Sequence, residues 1–312
     1  MSESASIARS REFLSPNQRL WRRFRANRPA VIGALVLVAL VLIVSCWPFF
    51  SAQRPETVSD AQFQPPSSEH WFGTDVNGRD LLARVVYGAR VSLTVGVVGA
   101  AVSLVIGVLW GAVAGYVGGR LDALMMRLVD ILYSLPSIIF VIVLITTLEV
   151  LVKQWLAKNL GASTPEAVRM LFLFVGLGAV SWLTMARIVR GEVLSLRERQ
   201  FVNASRALGA GHARLLFRHI LPNISGVIIV YLTLTVPSVV LYESFLSYLG
   251  LGIQPPMASW GVLIADGAQQ INPIRIYWWL PVFPAGVLIL TLLALNFFGD
   301  GLRDALDPRS SH

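Results

Sequence analysis

The sequence predicts an all-α fold, a polytopic membrane helical bundle with six transmembrane helices. Three observations carry that reading. Only 14% of the 312 residues are charged and 55% are hydrophobic, with a mean hydropathy of +0.64; soluble domains carry about 25% charged residues. Runs free of Asp, Glu, Lys and Arg occupy 29–53, 91–119, 131–148, 170–186, 219–242, 244–265 and 276–299, and a membrane crossing needs about 20 predominantly apolar residues. Lysines and arginines are also unevenly divided. With six spans and the N-terminus inside, 18 of the 26 fall in inner segments and 8 in outer ones, so both termini are expected in the cytoplasm.

Taken in order, residues 1–28 form a basic cytoplasmic segment rich in arginine. The first span, 29–53, runs well past the apolar core of a cleavable signal peptide and reads as retained. Its Cys46 is the only cysteine, which excludes an internal disulfide and reads as a small buried hydrophobe. Residues 54–90 form an outer segment. Residues 91–299 hold the remaining five helices, interrupted by a cytoplasmic loop, 187–222, and residues 300–312 form a cytoplasmic tail.

In the second span Gly99, Ser103, Gly107, Gly111 and Gly115 recur every fourth residue. Such a stripe lets helix backbones approach closely in lipid, within this subunit or against another. Pro136 and Pro237 interrupt the third and fifth spans, as is tolerated where helices pack or line a cavity. At the span ends, Glu149 and Lys153 are spaced as a helical i, i+4 pair. Glu243 separates the fifth span from the next run, and we read Glu243, Pro136 and Pro237 as possible gate or pathway-lining positions. That next run, 244–265, contains Gly250, Gly252, Pro255, Pro256 and Gly261. Consecutive prolines remove backbone donors that lipid cannot replace, so a protein-packed loop or re-entrant segment with short helical pieces is expected.

Several chemistries are excluded. The only lysines, Lys153 and Lys158, follow Val152 and Ala157, so there is no Walker A loop to cradle phosphates. The HExxH and GxSxG motifs are absent, and His70, His212, His219 and His312 have no metal-ligand spacing. The DVNGRD stretch, 75–80, fails as a calcium loop: counting from Asp75, position 5 is Arg79 and position 6 is Asp80. A turn at Asn77-Gly78 is the ordinary reading. Most aromatics lie in or beside the apolar runs, not among the arginines, which argues against nucleic acid as a partner. No catalytic site and no resident cofactor or metal is expected.

The loop 187–222 carries seven arginines and two glutamates. Residues 194–208 suit a helix, with Phe201, Ala204 and Leu208 on one narrow face and Ser205 four residues after Phe201. Gly209 suits the left-handed position that ends a helix. A second short helix, 212–220, leads to Leu221 and Pro222, the latter suited to the first turn of the fifth span. A helix held by lipid headgroups needs no fixed distance between Gly209 and Pro222, whereas a rigid knob docking into another protein does.

The stretch from Asn203, Ala204 and Ser205 through Gly209 to Leu221-Pro222 resembles the EAA-x3-G-x9-I-x-LP signature of binding-protein-dependent ABC importer permeases. It departs at Asn203, Ser205 and His219, where that pattern has Glu, Ala and Ile. HWFGTDVNGRDLLARVVYGARVSL (70–93), ESFLSYLGLGIQPPMASWG (243–261) and GDGLRDALDP (299–308) resemble the C-type permease subunits of dipeptide/oligopeptide transporters. The resemblance covers nearly the whole chain. It implies a type I ABC importer permease fold and alternating access in the inner membrane. It also implies a homologous second permease subunit, two cytoplasmic ATPase subunits that supply ATP and Mg, and an outer substrate-binding protein. The ATPase-coupling residues it implies are Phe201, Asn203, Ala204, Ser205, Leu208, Gly209, Leu221 and Pro222. A stand-alone channel or secondary transporter is the alternative.

Overall fold

In the computed structural model, residues 15–50, 54–160, 166–254, 257–271 and 273–306 are described. They are helical apart from connecting segments and one isolated bridge between Thr74 and Asp80. Helix α1 (Pro16–Ala26) starts at a capping box, in which Gln18 N–H donates to Ser15 Oγ and Ser15 N–H to Gln18 Oε1. Helix α2 (Arg28–Phe50) follows. It packs on the final helix α11 (Trp279–Leu306), where Gly33 lies against the Ala294 carbonyl and Gly301 against Ala30. Most of its other large side chains, Ile32, Leu35, Val38 and Leu42 among them, are exposed, as lipid-facing residues are.

Helix α3 (Leu81–Val117) is the axis of the bundle. At 1.5 Å per residue it is about 55 Å long, longer than a hydrocarbon core of about 30 Å. It starts ten residues before the apolar run 91–119 and takes in Arg84 and Arg90. Asp80 caps it, accepting from Ala83 N–H at 2.8 Å, and also meets His70 Nδ1 at 2.9 Å. The DVNGRD turn supplies the remaining bracing. Asp75 accepts from the Asn77 and Arg79 amides, from Arg79 Nε at 2.7 Å and from Arg84 Nη1 at 2.6 Å. The stretch is therefore a helix start and an ion-pair knot.

The third span is not one helix. Helix α4 (Gly119–Ser134) and helix α5 (Ser137–Leu160) meet at a bend of 97°. Leu135, forced toward extended backbone by the following proline, sits at φ −80°, ψ 138°, and Pro136 is exposed at the corner. Helix α6 (Glu166–Arg197) runs parallel to α3 and continues eleven residues beyond the end of the apolar run 170–186. The pairing is ordered along both chains, from Gly99 near Leu177 to Gly115 near Val193. Four helices are each long and apolar enough to cross a membrane among the described residues, and the bent α4–α5 pair makes a fifth. Helix α6, packed alongside α3, is not among these and is the candidate for the sixth span of the sequence reading.

The fifth span is helix α9 (Leu221–Tyr248), antiparallel to α3, with Pro237 buried inside it. Beyond it the chain turns at Gly250 and reaches a short helix α10 (Trp260–Gln269), started by the Ser259 hydroxyl accepting from Val262 N–H. The loop with a short helical piece expected over 244–265 is what the described residues form, while Pro255 and Pro256 lie outside them. Aromatic contacts hold residues 54–80 over this end of the bundle. Phe63 stacks on Tyr277 at 4.2 Å, Phe72 stacks on Phe283 at 4.1 Å, and Trp279 Nε1 donates to the Thr74 carbonyl.

The glycine stripe of α3 packs inside the chain. A side chain at Gly107 would meet Met185 Cβ at 2.6 Å and the Trp182 carbonyl at 2.9 Å; one at Gly115 would meet the Arg190 carbonyl at 2.8 Å. At Gly99 the neighbours are Val239 and Leu177. Ser103, also on the stripe, is fully buried. Of the two readings of the stripe, close approach to this chain's own α6 and α9 is the one realised.

Candidate functional site

Two regions gather the residues singled out from the sequence. The first is the end of the bundle that carries the basic segment. The expected helix over 194–208 is divided: α6 ends at Arg197, and helix α7 (Gln200–Ala207) begins after a break at Glu198-Arg199. Gly209 adopts φ +82°. Ala210 N–H donates to the Ser205 carbonyl and Gly209 N–H to the Arg206 carbonyl, the paired bonds of a Schellman cap. The expected second helix over 212–220 is not separate either. Helix α8 (His212–Arg214) passes into a π-helical turn, Leu215–Ile220, which continues directly into α9 with Pro222 in its first turn. Motion at the elbow therefore has a continuous helical path into a span.

Phe201, Ala204 and Leu208 are all exposed, Leu208 at 89%. The segment is rooted by different residues. Val202, Leu215 and Ile220 are fully buried in a cluster with Ala112, Val189 and Val193 of α3 and α6. These anchors were missed in the sequence, where Val202 stands between Phe201 and Asn203 with no periodicity that marks it as buried. Asn203 is exposed, and its amide donates to the Glu198 carbonyl at 3.3 Å. Ser205 Oγ donates to the Phe201 carbonyl at 2.9 Å. A second tether joins the elbow to α3, since Tyr116 Oη meets His212 Nδ1 at 2.8 Å. A cleft of about 560 Å³ opens beside it, lined by Val113, Tyr116, Val117, Arg206, His212, Ala213 and Leu216.

The second region is a cavity of about 450 Å³ enclosed by α4, α5, α6 and α9. Tyr231, Thr235, Ser238 and Tyr242 line it from α9, Ser181 and Thr184 from α6, and Tyr133 and Ser137 from either side of the bend. Spaced 4, 3 and 4 residues apart, the α9 group is a polar stripe along one helix face in an otherwise apolar run. That signal was present in the sequence. Pro136 and Pro237 do not line the cavity, but their neighbours Leu135, Ser137 and Ser238 do, so the prolines shape its walls.

Glu243 lies elsewhere. It is fully buried beside the cap formed by residues 54–80. Its Oε1 accepts from Ser247 Oγ at 2.7 Å and its Oε2 from Ser92 Oγ at 2.9 Å and Ser244 Oγ at 3.4 Å. Ser92 Oγ also accepts from Trp260 N–H, and Ser247 Oγ from Ile253 N–H. The carboxyl group thus ties α3, α9, the following loop and α10 together, and it does not line the cavity along α9. Glu243→Ala would leave buried hydroxyls without their acceptor, at a cost of about 1–3 kcal/mol for each unsatisfied group. The expected result is a lowered melting temperature of the purified complex and reduced accumulation, with Glu243→Gln, which keeps one acceptor oxygen, affected less.

Residues 107–312 match the family described as binding-protein-dependent transport system inner membrane component, and residues 15–66 match the N-terminal TM domain of oligopeptide transport permease C. The oligopeptide transport system permease protein OppC of Escherichia coli (strain K12) is 47% identical over 291 residues, 92% of this chain and 89% of that protein. The dipeptide transport system permease protein DppC of Bacillus subtilis (strain 168) is 44% identical over 300 residues, 96% of this chain and 88% of that protein. Among solved structures, a chain of the MetNI methionine ABC transporter in an inward-facing crystal form superposes with a TM-score of 0.54. That match has 22% identity and covers 73% of this chain and 98% of the other, a similarity of fold.

Proposed function

This chain belongs to the family of binding-protein-dependent transport system inner membrane components, and on that premise we propose that it is a permease subunit of an ATP-driven importer of di- or oligopeptides. It works by alternating access, with a homologous second permease subunit completing the pathway. Two cytoplasmic ATPase subunits bind ATP and Mg and hydrolyse the nucleotide; this chain contributes no catalytic residue and holds no cofactor. An outer substrate-binding protein delivers the peptide. The chain sits in the inner membrane with both termini in the cytoplasm, which places the elbow inside and the aromatic cap outside.

The observation that supports this reading most is the construction of the elbow. Its outward face, Phe201, Ala204 and Leu208, is exposed, while Val202, Leu215 and Ile220 root it in the spans. A surface built that way transmits displacement instead of absorbing it. Asn203, Ser205, Gly209, Leu221 and Pro222 shape the elbow and its continuation into α9. The cavity along α9 is this chain's half of the pathway. Its hydroxyl lining suits a polar peptide backbone, and the absence of Asp, Glu, Lys and Arg from that lining avoids trapping charged cargo. A stand-alone channel or secondary transporter is not favoured.

The test is purification and flux. The tagged chain, expressed with its neighbouring transport genes, is expected to copurify with a second permease and ATPase subunits. In vesicles the complex should take up labelled peptide only with ATP and binding protein. Substrate flux through the chain alone would sink the proposal.

A further inference from the structure

Helices α4 and α6 run antiparallel and are joined by two ion pairs of different construction. Near the coupling end, Asp122 is buried and receives a two-pronged contact from Arg190, Nε at 2.5 Å and Nη2 at 2.6 Å. Such a fork holds two helices together. Three residues earlier on α6, Arg187 meets Asp130 through a single bond, Nη2 to Oδ1 at 2.7 Å. Both side chains of this second pair are accessible, 43% for Arg187 and 61% for Asp130.

Three features aim the second pair at the cavity. The Arg187 guanidinium lies 4.1 Å from the centroid of the Tyr133 ring. Tyr133 Oη is bonded to Thr184 Oγ1 at 2.9 Å. Tyr133 and Thr184 both line the cavity, and Arg187 is one helical turn beyond Thr184 on the coupling side. The cavity lining holds no Asp, Glu, Lys or Arg. A peptide moving along it from the cap end meets only hydroxyls and apolar groups before it reaches this pair.

We propose that Arg187, held flat by Tyr133, receives the C-terminal carboxylate of the passing peptide at the inner mouth of the cavity, with Asp130 as its resting partner; this rests on the importer reading above. One Asp130 oxygen occupies one of the five guanidinium N–H donors, so a carboxylate can enter in a bidentate pose before the resting bond breaks. The exchange keeps Arg187 paired throughout, and Asp130, 61% accessible, is released to solvent. Because the pair is exposed, its own bond contributes little and yields readily. The Asp122–Arg190 fork keeps α4 on α6 throughout.

The test uses the complete importer, with partner permease, ATPases and binding protein, reconstituted in proteoliposomes. Uptake of a peptide with a free C-terminus is compared with its C-amidated form, each rate taken relative to wild type on the same peptide, which cancels capture outside. Arg187→Gln is expected to lower transport of the free acid about tenfold, the scale of one lost charge-assisted contact, and to leave the amide nearly unchanged. Arg187→Lys, which keeps the charge and loses the fork, should fall between. Asp130→Asn removes the competing carboxylate and should lower KM for the free acid. Equal loss of both peptides in Arg187→Gln, or a raised or unchanged KM in Asp130→Asn, would mean a merely structural pair and overturn the proposal. ATP-driven uptake of neither peptide by wild type would overturn the importer reading itself, and this one with it.

Discussion

Gly209→Val is expected to leave the chain inserted and assembled but to separate ATP hydrolysis from uptake. Gly209 holds φ +82°, a region that costs an L-residue roughly 1–2 kcal/mol and a β-branched one more. Nothing lies within 4 Å of where a side chain would sit. The penalty is therefore purely conformational: the new residue fits, but the backbone relaxes away from the Schellman geometry. Losing the bonds from Gly209 and Ala210 to the Arg206 and Ser205 carbonyls would unfasten α7 from the π-helical turn and α9. The loss in transport per ATP hydrolysed should be about tenfold, since 1.4 kcal/mol corresponds to one decade. Gly209→Asn, which tolerates the left-handed region, should retain most coupling, with Gly209→Ala between. The measurement is uptake and ATPase rate on the same proteoliposomes. Indistinguishable Val and Asn variants would sink the account, because the left-handed φ would then not be what the position requires.

Gly111→Val is expected to have the larger effect on stability. The side chain would overlap the Ala186 carbonyl oxygen and come within 3.0 Å of Arg190 N and Val189 Cβ. Two of those three neighbours are backbone, so no rotamer change relieves them. Helices α3 and α6 would have to separate along their most extensive contact, breaking the cluster of Ala112, Met185 and Val189 that roots the elbow. Overpacking of this kind costs about 1–3 kcal/mol where a core can adjust and more where it cannot. The expected result is strongly reduced accumulation in membranes and a lower melting temperature in detergent. Gly286→Ala is the control, because that α11 position has open space. Near-normal accumulation of Gly111→Val would contradict the packing described for the stripe.

The two predictions differ in how far each was legible beforehand. Gly209 is readable from its place after a helical stretch and before a second one, because chain reversal at a helix end needs the left-handed region. The stripe Gly99 to Gly115 is readable as a packing face, yet its partner is not, since any small-residue surface accepts any helix. Phe201, Ala204 and Leu208, which helical spacing puts on one face, are all exposed. What lies beneath them, Val202, Leu215 and Ile220, is spread over nineteen residues with no single period, because an elbow interrupts the helix between them. Glu243 stood out as a carboxylate at a span end. Its serine partners come from α3 and α9, 151 positions apart for Ser92, a separation that no local pattern encodes.

By itself the sequence determined the class of solvent, the helix breaks at Pro136, Gly209 and Gly250, and membership of a transport family. These follow from local chemistry: apolar runs of membrane length, residues with restricted or permissive φ, and motif spacing along the chain. Tertiary structure alone decided that α3 and α6 run parallel with the α3 glycines packed on α6 and that Glu243 ties α3, α9 and α10 together. It alone decided that Arg187 and Asp130 meet at the mouth of a hydroxyl-lined cavity. The physical reason is that lipid supplies no preference for which helix packs on which. Steric fit and buried polar pairing make that choice, and both depend on side chains far apart in the chain.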